Sequence, residues 1–325
     1  MDLTQALDGL QIVEVATYLP GPVCTQMLAA MGATVTKIER PGGDPLRHMV
    51  GLAAMFAPLN DRKILIELDL KQPAGRAQLR DLASRADVLV DGLRPGALER
   101  LEVGATALSA LNPRLIYCAI SGYGLRGPQR ERAGHDLNFV ATSGLLDGTL
   151  AGAAPTIPGA QIADMLSGLT AVTAILAALQ ARQRTGQGGL LDVPMDAAAG
   201  WLLSPWYAVL QAGGTMGSEL VGAQACYRLY ACADGRYLAV AALEAHFWER
   251  FCRALERPDL IAQQHAIGAA QTALQQTIAA IIATSPLAAW AALFAEIDAC
   301  VTPVRTVAEA AALAPHGIGL PVAAN

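Results

Sequence analysis

LQIVEVATYLPGPVCTQMLAAMGATVTKIER, running from Leu10 to Arg40, decides the fold. Leu10–Val15 is short, apolar and rich in β-branched residues, which predicts a strand. A Pro-Gly-Pro turn follows, then a helical pattern from about Val23 to Met31, then a second predicted strand at Thr34–Ile38. Strand, helix and strand joined by short turns form a βαβ unit, and such a crossover makes its strands parallel. Working outward, Ile64–Asp69, Val88–Val90 and Leu115–Ile120 read as further strands, with a helix over Ala74–Ser84. The expected class is therefore α/β, with a Rossmann-like parallel sheet covered on both faces.

Beyond Gly134 the pattern is largely helical as far as Arg182. Thr185–Gly189 punctuates it before a short strand, Leu190–Val193, and another helix reaches Gly213. Tyr227–Ala231, the turn Asp234-Gly235 and Tyr237–Val240 read as a β-hairpin that opens a smaller α/β domain. Helices are expected over 245–297 and extended chain at Ala299–Val304. This gives a large domain over 1–200, a linker helix and loop over 201–222, and a small domain over 223–299. Residues 300–325 are expected to return to the large domain.

Composition narrows the function. With 53% apolar residues over 325 positions the chain can bury a large core, and its net charge of −5 leaves no basic surplus for nucleic acid or an anionic membrane. The six cysteines are scattered without a C-x-x-C pair, which fits free thiols in a reducing compartment, so a cytoplasmic location is expected. The amino terminus shows no basic stretch followed by an apolar one, as a secretion signal would. Ile162–Gln180 is apolar but broken by Asp164, Ser167, Thr170 and Thr173, so it is expected as a buried helix of a soluble core.

The loop after the first strand lacks G-x-G-x-x-G, which weakens a dinucleotide-binding reading; Pro20-Gly21-Pro22 reads instead as a rigid entry to the helix at Val23. Arg40, Lys71, Arg94 and Arg100 fall at or after the carboxyl ends of proposed strands, where doubly wound sheets bind ligands. Ordinary surface charge explains such a rim equally well until a further pattern is added; phosphates of a carrier such as coenzyme A would need cations of this kind.

That pattern comes from phrases spread along the chain. Gly21-Pro22 with Met27–Ala33, Lys37–Pro45, Leu68–Lys71, Gly92–Gly96, Ser121–Gly124, Gly186–Gly188 and Asp298–Val304 resemble, in order, the blocks of family III CoA-transferases. The resemblance implies a large α/β domain that binds CoA, a smaller α/β domain and two interlocked protomers in a homodimer. It also implies CoA contacts at Arg40, Leu68, Asp69, Lys71, Leu89, Asp91, Gly92, Arg94 and Arg100, which takes in all four basic positions. No cofactor is implied other than the coenzyme A carried by the substrate, and no metal.

Within this superfamily the shared aspartate looks like Asp164, and the branches differ in its use. Transferases employ it as the nucleophile of an acyl anhydride; α-methylacyl-CoA racemases employ it as an acid/base on the α-carbon. Gly134-His135-Asp136-Leu137-Asn138 resembles the racemase branch, and Glu244, closing Tyr237–Glu244, matches a glutamate that supports that histidine. Inverting a stereocentre beside a thioester carbonyl requires proton removal on one face and delivery on the other, which a His and an Asp can share. An aspartate in a first helical turn is favoured as an anion by the helix dipole and disfavoured by burial, and sequence does not rank the two. Asp136 is a further catalytic candidate, a carboxylate that, like Glu244, would fix the tautomer of His135 and raise its basicity, and its second role is an N-cap for a helix beginning at Leu137. The expected activity is racemisation of 2-methyl-branched acyl-CoA thioesters. A CoA transferase acting through Asp164 is the second reading and an inactive CoA-binding partner subunit the third. Two departures from the racemase pattern stand out: Ala163 replaces a glycine before Asp164, which would reshape the acyl pocket, and the chain stops at Asn325, where relatives continue. The third reading rests on that second departure.

Overall fold

The computed structural model describes residues 3–149 and 154–313, and the chain folds as two compact units with the main boundary between 205 and 206. In the first unit the elements follow in the order β1 (Gln11–Val15), α1 (Pro20–Ala30), β2 (Thr34–Glu39), α2 (Phe56–Asn60), β3 (Ile64–Glu67), α3 (Pro73–Arg85), β4 (Val88–Asp91), α4 (Ala97–Arg100), α5 (Ala105–Leu111), β5 (Ile116–Ser121), α6 (Asp136–Thr142), α7 (Ile162–Thr185), β6 (Gly189–Pro194) and α8 (Met195–Trp201); α9 (Ser204–Gln211) begins there and lies mostly in the second unit. All six strands are parallel, in the order β3-β2-β1-β4-β5-β6. The expected doubly wound sheet is present. Chain order reverses between β1 and β4, which opens a crevice at their carboxyl ends.

Period-two alternation places two apolar layers on the sheet. Ile12, Val88, Val90, Ile116 and Ile120 face Val23 and Leu28 of α1 and Val172 and Ile175 of α7. Val13, Val15, Leu89 and Tyr117 face Leu79, Leu98 and Leu108 on the other side. Truncating one such fully buried leucine to alanine costs about 2–5 kcal/mol. Helix α1 starts at Pro20, three residues before the expected Val23, because proline lacks an N–H and its fixed φ suits a first turn. Helix α7 ends at Gly186, whose φ of 72° lets its N–H turn back to the Arg182 carbonyl at 2.8 Å.

Helix α7 corrects one expectation. It buries a single stripe, including Ala163, Ser167, Ala171, Ile175 and Leu179, while Met165 and Leu169 on another face are about 40% exposed. It is long and apolar enough to cross a membrane by length and composition, yet it packs along α1, α8 and the sheet.

In the second unit β7 (Tyr227–Ala231) and β8 (Tyr237–Ala241) form the expected hairpin. Then come α10 (Ala245–Ala254), α11 (Ala269–Ile282), α12 (Leu287–Ala295), β9 (Val301–Pro303) and α13 (Val307–Leu313). Trp248, Phe251, Trp290 and Phe294 fill its core. The expected return of the chain to the large domain at residue 300 does not occur as far as Leu313. The free edge of β8 takes β9 as an antiparallel partner, Ala239 opposite Thr302, and Arg236 of the hairpin pairs with Glu309 of α13 at 2.8 Å. Residues 314–325 lie outside the described residues. The expected linker over 201–222 is likewise divided, since Trp201 to Pro205 belong to the first unit.

Candidate active site

At the switch point the backbones of β1 and β4 lie close together. A Cβ on Gly21 would stand 2.3 Å from the Ala16 Cβ, and one on Gly92 would stand 2.7 Å from the same atom. The loops leaving these strands wall a cavity of about 630 Å³. Thr17, Tyr18 and Pro20 come from the first loop, Gly92, Arg94 and Pro95 from the second, and His135 and Asp164 complete it. The two residues assigned to proton transfer thus face one cleft.

Each is held by the packing around it. His135 is the N-cap of α6; its backbone N–H donates to Asn138 Oδ1 at 3.0 Å. The preceding Gly134 leaves room for the Phe139 ring, which meets Tyr123 edge-on at 5.2 Å between centroids. Asp164 stands in the first turn of α7. Asp136 does something its local sequence does not reveal. It is the first residue of α6, yet its Oδ1 accepts from the backbone N–H groups of Ala163 at 2.7 Å and Asp164 at 3.1 Å. It therefore caps α7 rather than the helix it begins.

Burial, with the Asp136 charge second to it, decides the question that sequence left open. Burial pushes the Asp164 carboxyl up, the nearby Asp136 charge pushes it further, and together they bring it to about 7. The favourable end of the α7 dipole is occupied by the Asp136 carboxylate, so its help goes to the neighbour instead. Asp164 is left able to exist with or without its proton near neutral pH.

The other expected contacts fall into two groups. Arg40, Lys71, Arg94 and Arg100 are exposed, at or beyond the carboxyl ends of β2, β3 and β4. Leu68 follows β3, and Asp69 beside it accepts from the Lys71 N–H at 3.0 Å. Leu89 is fully buried in the core layer, and the Asp91 carboxyl is engaged inside the domain, accepting from Tyr117 Oη at 2.7 Å and the Leu93 N–H at 2.9 Å. Burial still raises Asp91 to about 6. Neither side chain is free to reach a ligand. Glu244 belongs to the second unit, where it is the N-cap of α10. Sequence reasoning passed over Tyr18, Arg130 and Arg132, which also line the cleft. The Arg-x-Arg spacing two residues before the Gly134-His135 phrase was the available signal for the last two.

Residues 7–318 match the family model described as CoA-transferase family III. The chain belongs to this family. The family III chain is 36% identical over 316 residues to the human α-methylacyl-CoA racemase, an alignment covering 94% of this chain and 79% of that one. It is 34% identical over 272 residues to a succinyl-CoA–L-malate CoA-transferase alpha subunit of Chloroflexus aurantiacus, covering 78% and 62%. Among solved structures, a CaiB/BaiF family protein from Brucella suis superposes with a TM-score of 0.82 at 31% identity, over 95% of this chain and 86% of its own. Relatives thus carry both racemase and transferase names.

Proposed function

We propose that this family III protein racemises 2-methyl-branched acyl-CoA thioesters by 1,1-proton transfer between His135 and Asp164. The observation that carries the reading is their shared cleft, in which Asp164 is held near 7 by burial and by Asp136. A group used as base on one enantiomer and as acid on the other works best when both its protonation states are populated at the working pH. In one direction ionised Asp164 takes the α-proton and His135 delivers a proton to the opposite face. In the other the roles reverse. The enolate formed between these steps needs hydrogen-bond donors; the N–H groups of Ala163 and Asp164 are already taken by Asp136, which leaves the backbone N–H groups in the first turn of α6 for that task. The reaction uses the CoA of the substrate and no further cofactor, the exposed arginines and lysine at the sheet edge receive its phosphates, and Glu244 supports His135 in a homodimer in the cytoplasm.

Incubation with (R)-2-methylacyl-CoA in deuterium oxide, followed by NMR, tests this. Exchange of the α-proton with loss of optical purity is expected, and His135→Ala or Asp164→Ala abolishes it. Acyl transfer to an added carboxylate through Asp164, with no α-exchange in the wild type, would assign the chain to the transferase reading. The transferase-named relative and the arginines at the cleft favour that reading second. The two also differ in pH dependence. A racemase gives a profile of kcat/KM with a rising and a falling limb, the same for both enantiomers, because each direction needs one of the pair Asp164 and His135 protonated and the other not. A transferase gives only a rising limb, since its nucleophile is always the carboxylate.

A further inference from the structure

Beneath the cleft lies a group of buried charges that the proton-transfer chemistry does not use. Glu14, Lys37, Asp44 and Lys63 all have fully buried side chains. Two ammonium groups and two carboxylates balance. Lys37 Nζ donates to Glu14 Oε1 at 2.7 Å and lies 3.0 Å from Asp44 Oδ2; Lys63 Nζ donates to Glu14 Oε2 at 2.8 Å. Thr25 Oγ1 and Asn60 Oδ1 complete the set, bonding Glu14 and Lys63 respectively.

Three of these groups also reach the backbone of one short segment. Lys37 donates to the Ala16 carbonyl at 2.8 Å, Lys63 donates to the Pro22 carbonyl at 3.0 Å, and Asp44 Oδ1 accepts from the Tyr18 N–H at 3.4 Å. Between those anchors stand Thr17, Tyr18 and Pro20, one wall of the cleft that holds His135 and Asp164. Tyr18 has φ 63°, a left-handed conformation that a residue with a side chain keeps only where its surroundings hold it. The same segment seats the helix bearing Asp164: a Cβ on Gly168 would come within 3.0 Å of the Pro20 carbonyl. Apolar residues of equal volume would stabilise a core as well as such ions do, so stability alone does not call for them. Directional bonds to three backbone groups are what an apolar cluster does not supply.

We propose that Lys37, Asp44 and Lys63 are positioning residues that hold the backbone of residues 16–22 in the conformation that walls the cleft for reaction at His135 and Asp164. The inference rests on the racemase reading above. Its test is the double variant Glu14→Gln/Lys63→Met, which removes one buried charge of each sign, and with them the pairs of Glu14 with Lys37 and Lys63, and leaves Lys37 balanced by Asp44. The expected result is a near-wild-type melting temperature and CoA affinity with α-proton exchange slowed about tenfold or more in kcat, since misplacement by ~1 Å costs up to ~10²-fold. A double variant that regains both stability and wild-type exchange would show the cluster to be structural only and overturn the proposal. Amide hydrogen exchange of the wild-type peptide 15–23 gives a check that needs no variant. Protection comparable with β1 is expected, and exchange as fast as the exposed loop 126–132 overturns the proposal. If the wild type shows no α-exchange, the racemase reading fails; the same double variant is then measured for acyl transfer, with the same expected loss.

Discussion

Glu14 and Asp164 are both carboxyl groups withdrawn from water within the first unit, and their surroundings move them in opposite directions. Burial raises the pKa of each. At Glu14 the charges and hydrogen bonds of Lys63 and Lys37 overcome that effect and leave the group below its ordinary value. At Asp164 the nearest charge is another carboxylate, and the two effects add. Burial alone thus predicts neither role. A buried acid among cations becomes a fixed strut, and one beside another acid becomes a group that exchanges its proton near neutrality.

The contrast is broken most severely at Glu14. Glu14→Gln leaves two buried ammonium groups facing only Asp44, and a loss of roughly 3–5 kcal/mol is expected in urea unfolding, as for other broken buried pairs. A smaller loss would show that water reaches the cluster.

Asp164→Asn is expected to act with the opposite sign. The folded carboxyl keeps its proton up to about 7, whereas the unfolded one releases it near ~3.9. Between those values the folded state binds the extra proton, so wild-type stability falls as pH rises, and the whole penalty is present above 7. The asparagine variant should therefore be the more stable by on the order of 2 kcal/mol at pH 8, after a discount for partial solvent access, with the difference vanishing near pH 4. Melting curves across that range check it, and a difference that grows toward low pH would contradict the assignment.

The smallest effect is expected at Asp136. Asp136→Asn retains an oxygen to accept the Ala163 and Asp164 N–H bonds but removes the charge, so the inflection assigned to Asp164 should move to lower pH with little change in the maximal exchange rate. An unmoved inflection would leave burial as the sole cause of the raised pKa.

Most of the sheet was legible because its signals are local. β-branched runs placed all six strands of the first unit to within a residue or two, although Pro-Gly-Pro, taken as the entry to α1, is already its first turn. Partnerships between distant residues were not. Asp136 carries the usual preference for a helix start, but that preference says nothing about a second helix whose N–H groups arrive 27 residues later. Glu14 reads as an ordinary strand residue until the sheet brings Lys37 and Lys63 to it from 23 and 49 residues away. Family resemblance suggested roles for His135 and Asp164, but whether they line one cleft was not legible, because no periodicity contains it. The return of the chain at residue 300 was misjudged because Ala299–Val304 reads as extended chain, and nothing in it names the edge that it joins.

Two of the bearings along the buried stripe of helix α7 act on Asp164 with unequal leverage. One lies at Gly168, set tightly against the Pro20 carbonyl and Val23, and the other at Arg182, paired with Asp87 at 2.8 Å and bonded to the Arg114 carbonyl at 3.0 Å. At ~1.5 Å per residue the span between them is about 21 Å, while Asp164 overhangs the nearer support by only about 6 Å. Pivoting about Gly168, a displacement of ~1 Å at the Arg182 end reaches Asp164 as roughly 0.3 Å, inside the ~0.5 Å tolerance of a working site. Damage at the distant bearing is geared down before it arrives at the chemistry, whereas the fulcrum has no such protection.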